Sequence, residues 1–307
     1  MEDGCDVICV DNFCTGKKHN ISKWIGHPNF EYIRHDITER IVLEVDEIFH
    51  LACPASPVHY QNNAIKTLKT NVFGTLNICG LAKRCHARLL LASTSEVYGD
   101  PLVHPQHESY FGNVNPVGPR SCYDEGKRAA EALCMDYFRQ HNVDVRIARI
   151  FNTYGPRMTF NDGRVVSNLI VQSLASKSMS IYGNGSQTRS FCFVSDLIDG
   201  LVSLMRSDVK EPINLGNPDE YTILDLARGI SEITGTEATF EYRQLPEDDP
   251  SRRRPDISKA QSLLGWSPKI SLMEGLKETV TDFRQRLLQG ESAHCIVHQI
   301  GATTIPN

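Results

Sequence analysis

Residues 88–99 read Arg88-Leu-Leu-Leu-Ala-Ser93-Thr94-Ser95-Glu96-Val-Tyr98-Gly99, and residues 122–127 read Cys122-Tyr123-Asp124-Glu125-Gly126-Lys127. The first stretch is an apolar run of strand length that ends in three hydroxyls and a carboxylate. Hydroxyls in a row pack poorly at the end of a core strand, and a carboxylate beside them is costly to bury unless it serves a purpose. In open α/β sheets the C-terminal strand ends are where ligands collect. The second stretch opens a segment, residues 123–140, rich in Ala, Glu, Lys and Arg, which reads as a helix. Tyr123 and Lys127 then stand one turn apart on the same face. The ammonium is expected to favour phenolate and to lower a pKa that is near 10 in water. Such a phenol can take a proton from a substrate alcohol while hydride leaves the carbon.

Outward from this pair, the first two thirds of the chain alternates strands and helices. Residues 6–10, 30–34, 47–51, 88–92 and 144–150 read as strands. Residues 64–83 carry Ile65, Leu68, Val72, Leu76 and Cys79 at helical spacing. Such alternation predicts an α/β fold with a doubly wound parallel sheet covered on both faces. After about Arg149, Gly and Pro punctuate the chain, and helical patterns follow at 165–176, 195–207, 223–235, 257–264 and 272–288. The expected organisation is a first unit over 1–150, a smaller interleaved α+β lobe mainly over 151–289, and a loose tail over 290–307.

The 307 residues are 40 % hydrophobic, enough for one large core or two smaller ones. Lys and Arg number 32 against 37 Asp and Glu, a formal net charge of -5, which argues against nucleic acid or an anionic membrane surface as partner. No apolar run approaches the ~20 residues of a membrane span, and the first residues resemble neither a signal nor a transit peptide. The ten cysteines are scattered with no Cys-x-x-Cys pair, so free thiols are expected and no metal site. Asn20-Ile-Ser22 and Asn184-Gly-Ser186 are glycosylation triplets, of consequence only in a secretory compartment. Val7-Ile-Cys-Val-Asp11-Asn12 is an apolar strand ending in a carboxylate. In a dinucleotide-binding sheet an acid here holds the adenosine ribose hydroxyls and favours NAD over NADP. Lys17 and Lys18 would attract a 2′-phosphate, which Asp11 would repel.

Tyr123, Lys127 and the hydroxyl strand end, with Thr70-Asn71-x-x-Gly74-Thr75, resemble the extended short-chain dehydrogenase/reductases. Five further stretches narrow the resemblance to the UDP-glucuronate decarboxylases, also called UDP-xylose synthases. These are His50-Leu-Ala-Cys-Pro-Ala-Ser-Pro57, Cys122 to Lys127, Arg149-Ile-Phe-Asn-Thr-Tyr-Gly-Pro-Arg157, Asp162-Gly-Arg-Val-Val-Ser-Asn168 and Gln187-Thr-Arg-Ser-Phe191. The likeness runs from about residue 7 to 285.

The resemblance implies a Rossmann fold, tightly held NAD as cofactor and UDP-glucuronate as substrate. It implies oxidation at the sugar C4, loss of CO2 from the resulting 4-keto sugar, and return of the hydride to give UDP-xylose. Tyr123 would be the base with Lys127 beside it. Thr94 would bond the 4-oxygen, Ser95 and Glu96 would assist decarboxylation, and Arg253 would lie near the carboxylate. For NAD the resemblance points to Asp11, Asn12, Thr15, Gly16, Asp36, Ile37, Leu51, Thr70, Tyr123, Lys127, Thr153 and Arg164. For the UDP-sugar it points to Pro54, Lys69, Asn152, Val166, Tyr182, Gln187, Arg189 and Arg253. It further implies a homodimer built on the helices containing Asn71 and Tyr123, with Cys79 and Cys134 in or near the seam. The compartment would be the Golgi lumen, with the cytoplasm as the alternative.

Two departures from the family pattern stand out. Cys53 replaces the usual Ser. No Gly-x-x-Gly-x-x-Gly occurs before Asp11, and Gly4 and Gly16 cannot supply it, so the chain reads from the family's second strand onward. On that reading the strands at 6–10 and 47–51 flank a gap of one strand, and NAD binding is expected to be weak. The family's N-terminal membrane anchor of animal-like members is not seen either. The competing readings are an impaired variant that at most binds UDP-sugar or pairs with a complete subunit, a 4,6-dehydratase, or a 4-epimerase. A dehydratase would carry an acid at Ser95, and an epimerase would usually lack Glu96.

Overall fold

A computed structural model describes residues 1, 4–244 and 252–291. The tail expected to be loose lies outside the described residues from 292 onward. Two parallel ladders form the first part of the fold. Strand β1 (Val7–Val10) pairs with β2 (Phe30–Ile33). Strand β3 (Glu47–His50) is the edge of a four-stranded sheet with β4 (Arg88–Thr94) and β5 (Val145–Ile150). Its fourth member is β10 (Ile213–Leu215), which comes back from far along the chain to lie beside β5. Strand β4 is buried from Leu89 onward, with Leu89, Leu90 and Leu91 wholly inaccessible. Its apolar run without alternation is what a strand covered on both faces requires.

Helices supply both covers. On one face lie α3 (Thr75–Cys85) and α4 (Ser121–His141), packing Ile78, Cys79, Ala130 and Cys134 onto Leu89, Leu91 and Ile147. On the other lie α6 (Val194–Arg206) and α8 (Ser258–Leu264), which close with Trp266 over Leu90 and Ala148. Helix α3 continues from α1 (Pro57–Asn62) and α2 (Ala64–Lys69) through one wider turn at Thr70–Gly74. That turn brings Gly74 against Ile37, where a Cβ would meet the Ile37 side chain at 2.6 Å.

No ladder joins β1 to β3 among the described residues, and they do not pair directly across the division between the two ladders. Val10 and Ile48 nevertheless pack against the same apolar cluster as Ile37 and Leu89. Polar ties add to this: Asn77 Nδ2 donates to the Ile37 carbonyl at 2.9 Å, and Lys66 pairs with Asp36.

The remaining elements build a second core around Tyr154, Phe191, Phe193, Leu226 and Phe283. They are β6 (Thr153–Tyr154), α5 (Val165–Leu174), β7 (Met179–Tyr182), β8 (Thr188–Ser190), β9 (Cys192–Phe193), β11 (Glu220–Thr222), α7 (Ile223–Thr234), β12 (Phe240–Arg243), β13 (Arg252–Arg253) and α9 (Leu272–Leu288). Strand β8 lies between β11 and β13, β12 runs parallel to β7, and β9 parallel to β6. Helix α9 begins with a full capping box, Ser271 and Glu274 each satisfying the other's backbone N–H. Among the described residues no helix is long and apolar enough to cross a membrane.

Cys79 and Cys134, expected in or near a dimer seam, face each other inside this chain. Both are wholly buried between α3 and α4, with sulfurs 3.8 Å apart. Small side chains there let the two helices approach over the sheet, which places these cysteines in the core.

His50, at the end of β3, is buried with Nε2 3.0 Å from the Thr75 hydroxyl. Burial first, and then the nearby Lys127 charge, push its pKa down to about 3. Below an unfolded pKa of ~6.5 the unfolded chain therefore binds a proton that the folded chain refuses, so stability falls as pH drops from about 6.5 towards 3. His50→Gln is expected to flatten the loss between pH 6 and 4 by up to ~1.4 kcal/mol per pH unit. Urea titrations of both proteins across that range check it; parallel profiles would refute the assignment.

Candidate active site

The C-terminal end of β4 turns at once into a short 3-10 segment, Ser95–Tyr98, and distributes its polar side chains to different tasks. Ser93 Oγ donates to Glu131 Oε1 at 2.5 Å and belongs to the support behind the site. Thr94 Oγ1 accepts the Glu96 backbone N–H at 3.2 Å and makes a hydrogen bond with the Tyr123 phenol. Ser95 and Glu96 both meet Arg253. Its Nη1 donates to Ser95 Oγ at 3.2 Å and to Glu96 Oε1, and its Nη2 to the Gly99 carbonyl at 2.9 Å. Gly99 has φ +63°, and a Cβ there would lie 1.9 Å from the Asn113 carbonyl oxygen, so only glycine permits this close turn.

Arg253 arrives from a distance of 157 residues in sequence because β13 adds to β8, with Arg253 beside Arg189 in the ladder. The other oxygen of Glu96 accepts from Arg120 Nη2 at 2.7 Å. Burial alone would push the Glu96 carboxyl up, but Arg253 and Arg120 together hold it down at about 2. It is a carboxylate at any working pH.

Helix α4 carries the phenol. Tyr123 is buried and stacks on Tyr60 of α1, ring centroids 5.0 Å apart and nearly parallel. Lys127 Nζ donates to the Ala92 carbonyl at 2.8 Å and lies 6.0 Å from the Tyr123 ring centroid. The expectation that the ammonium lowers the phenol pKa fails in this arrangement. Burial dominates and pushes Tyr123 well above its ordinary value; the Thr94 bond and the Arg164 charge pull the other way and do not prevail. Lys127 is itself pushed down by burial.

Eight of the residues expected at the cofactor line one cleft at the ends of β1 to β3: Asp11, Asn12, Thr15, Gly16, Asp36, Ile37, Leu51 and Thr70. Pro54, expected at the sugar, lines it too. Asp11 Oδ1 accepts the Phe13 N–H at 2.7 Å, and a Cβ on Gly16 would come within 3.2 Å of Asp11 Oδ2. The bare glycine leaves that oxygen approachable, which suits a ribose diol. Asn12 Nδ2 donates to Asp36 at 3.0 Å. Lys17 is engaged by Glu291.

The other expected residues disperse around the two regions. Thr153 Oγ1 donates to the Phe151 carbonyl at 2.9 Å, and Arg164 donates to the Ala55 carbonyl at 2.8 Å. Val166 is buried at the start of α5, and the Asn152 carbonyl accepts from Cys192. Gln187 Nε2 donates to the Tyr182 carbonyl at 2.6 Å, and Arg189 donates to the Thr188 carbonyl at 2.9 Å. Lys69 is exposed on α2, apart from these bonds. Residues not anticipated from the sequence are Arg120, Tyr60 and Lys66, and Asp124 had been given no role. Arg120 offered one signal: it caps the N-terminus of α4, where a cation opposes the helix dipole and needs another reason to be there.

A family profile described as GDP-mannose 4,6 dehydratase matches residues 1–279. It sets the class, a short-chain dehydrogenase/reductase fold of the nucleotide-sugar kind. UDP-glucuronic acid decarboxylase 2 of Arabidopsis thaliana is 61 % identical over 297 residues, covering 95 % of this chain and 67 % of that protein. UDP-glucuronic acid decarboxylase 5 of the same plant is 59 % identical over 92 % of this chain and 83 % of its own length. The crystal structure of UDP-glucuronic acid 4-epimerase from Bacillus cereus, in complex with UDP-glucuronic acid and NAD, superposes with a TM-score of 0.81 at 28 % identity, covering 91 % of each chain. The chain belongs to the family of the UDP-glucuronic acid decarboxylases. It spans about two thirds of the first of these relatives.

Glu96→Gln removes the anion between Arg120 and Arg253 and leaves two mostly buried guanidiniums facing one another. The expected loss of stability is about 3–5 kcal/mol. Adding Arg253→Met to that variant is expected to recover part of it, because the buried guanidinium that lost its carboxylate is then gone. Equilibrium denaturation of the single and double variants reads the difference; additive losses would sink the idea of a shared clamp.

Proposed function

We propose that this chain converts UDP-glucuronate to UDP-xylose by NAD-dependent decarboxylation through a 4-keto intermediate. The observation that carries this reading is Glu96, a carboxylate fixed between Arg120 and Arg253 beside the Thr94–Tyr123 pair. It supplies oriented charge next to an alcohol-binding hydroxyl and a phenol, which simple 4-epimerisation does not need. The family relatives and the epimerase in complex with UDP-glucuronic acid and NAD support the same substrate and cofactor.

The cleft lined by Asp11, Gly16 and Asp36 fits the adenosine half of NAD, with Asp11 Oδ2 open to a ribose. When bound, the cofactor supplies a reversible hydride acceptor. Among this chain's own groups, Thr94 orients the 4-hydroxyl and Tyr123 holds or moves its proton. Lys127, fixed by the Ala92 carbonyl, keeps a positive charge near the phenol. A carbonyl at C4 lies β to the C6 carboxylate, so CO2 can leave with its bonding electrons delocalised as an enolate. Arg253 and Arg120 stabilise negative charge there, and Ser95 is held by Arg253 to face the same space. Arg189, next to Arg253 in the ladder, is suited to a diphosphate oxygen. The Golgi lumen is proposed as the compartment on the family resemblance alone.

We also propose a homodimer. Ile65, Leu68, Phe73 and Leu76 are exposed on the continuous run from α2 to α3, at spacings that share one helical face. A second copy covering this face accounts for them. Phe73→Glu is expected to give monomers by sedimentation; a wild-type monomer at micromolar concentration would refute the dimer.

Tyr123→Phe tests the central reading. Loss of a general acid–base group typically costs ~10²–10⁴-fold. Assays of CO2 and UDP-xylose from UDP-glucuronate with NAD are expected to show that loss, with UDP-sugar binding retained. Near-normal turnover would remove Tyr123 from the mechanism.

A further inference from the structure

Asp124 follows Tyr123 on α4 and is 6 % exposed, yet its Oδ1 has no hydrogen-bond partner. The groups that face it are Arg120, Cys122 and Glu125 on its own helix, Glu96 after β4, Arg253 on β13 and the Tyr60 phenol on α1. Arg253 and Arg120 each give a bond to Glu96, one on each carboxylate oxygen. Among the described residues, the Arg120 and Arg253 guanidiniums face two carboxyls, Glu96 and Asp124. A third carboxylate arriving from a substrate makes the sum negative in a place with little water. The cheapest relief is a proton on Asp124, whose Oδ1 is buried without a hydrogen-bond partner.

We propose that Asp124 takes up a proton from solvent when the sugar carboxylate of UDP-glucuronate enters beside Arg253, so that Glu96 stays ionised throughout. This rests on the decarboxylase reading. The uptake forms one O–H bond on Asp124 and moves no electrons. It also matches the stoichiometry of that reaction. When the C5–carboxylate bond breaks, CO2 leaves without its bonding pair, and that pair then takes H⁺ at C5, so each turnover consumes one proton. Asp124 stores that proton within the site before the bond breaks, as a positioning residue for charge. Burial, and then the Glu96 charge, raise the Asp124 carboxyl to about 7 against the pull of Arg120 and Arg253, so one added negative charge is enough to protonate it near neutrality.

The test is calorimetry of UDP-glucuronate and UDP-glucose binding to the NAD-loaded chain near pH 7.5, carried out on Tyr123→Phe so that substrate is not consumed. Two buffers of different ionisation enthalpy give the protons taken up. The expected result is net uptake with UDP-glucuronate, none with the uncharged UDP-glucose, and none with either when Asp124→Asn is added. Affinity for UDP-glucuronate is expected to fall by up to about tenfold per pH unit on the alkaline side, and Asp124→Asn is expected to abolish that fall. Uptake that persists in the Asn variant overturns the proposal. So does equal uptake with the two sugars, a comparison that needs no change at Asp124 and holds even if the variant folds poorly. A chain that binds neither sugar overturns the functional reading, and this inference with it.

Discussion

A carboxylate removed from water costs several kcal/mol unless cations and hydrogen bonds replace its hydration. Glu96 meets that requirement only because two parts of the chain converge on it. Arg120 comes from the start of α4, which lies against the sheet, and Arg253 from β13, which belongs to the second core's ladder. The ion cluster therefore closes only when both halves are folded and docked. Its surroundings are fixed in the same way. The Gln106 N–H donates to the Arg254 carbonyl and its side-chain Oε1 accepts the Arg254 N–H, which holds β13 in register, and the Gly99 carbonyl accepts from Arg253. The same buried charge cluster joins the two halves.

Behind this cluster lies a second buried network. Arg149 makes a two-pronged contact with Glu131, at 3.0 and 2.8 Å, and donates to the Tyr98 phenol at 3.1 Å. Tyr98 in turn donates to Asn214, which reaches the Gln106 and Asp256 carbonyls. Asn214 sits on β10, the strand that returns to the sheet from the far side of the second core. Ser93 on β4 and Arg149 on β5 are opposite one another in the ladder and both reach Glu131, which locks the strands that carry the site. A fully satisfied buried network of this kind fixes geometry that an apolar core leaves softer.

Much of this was legible in the sequence where the pattern was long. Strands such as residues 88–92 and helices such as 123–140 were placed within two residues of their ends, because several apolar positions repeat with one period. The pairs of two or three residues at β6, β8, β9 and β13 were not. A strand that short has no period to read, and its existence depends on a distant partner. The Tyr123, Lys127 and Thr94 grouping was visible because it lies on elements read correctly. The Arg120 half of the clamp was missed, since the helix that turns it inward is not evident from residue type. Asp124 was hidden by a familiar rule: an acid in the first turn of a helix is ordinarily a capping feature, and nothing local tells that this one is buried with Oδ1 unpartnered. The pKa argument for Tyr123 went wrong for a related reason. Spacing fixed the distance between phenol and ammonium, while burial, which spacing does not report, decided the sign.

The cleft at the ends of β1 to β3 shows what side chains can do where the main-chain ladder stops. Strands β1 and β3 share no hydrogen bonds, yet Val10, Ile37 and Ile48 sit on one apolar cluster with Leu89 and Val145. Apolar contact is non-directional, so it holds two ladders side by side without fixing their register. Register is supplied instead by directional bonds at the rim. Lys66 of α2 reaches Asp36, Asn12 reaches the same carboxylate, and Asn77 holds the Ile37 carbonyl. All three converge on the segment just after β2, on one wall of the cleft. Asp36 is accordingly held well below the usual carboxylate range: burial alone would raise it, and the bonds from Lys66, Thr38 and Asn12 outweigh that. The Asp11 carboxylate accepts the Phe13 N–H on Oδ1, and its Oδ2 lies beside the bare Gly16. The two acids are held differently: Asp36 by the side chains of Lys66, Asn12 and Thr38, and the Asp11 carboxylate by the Phe13 backbone N–H.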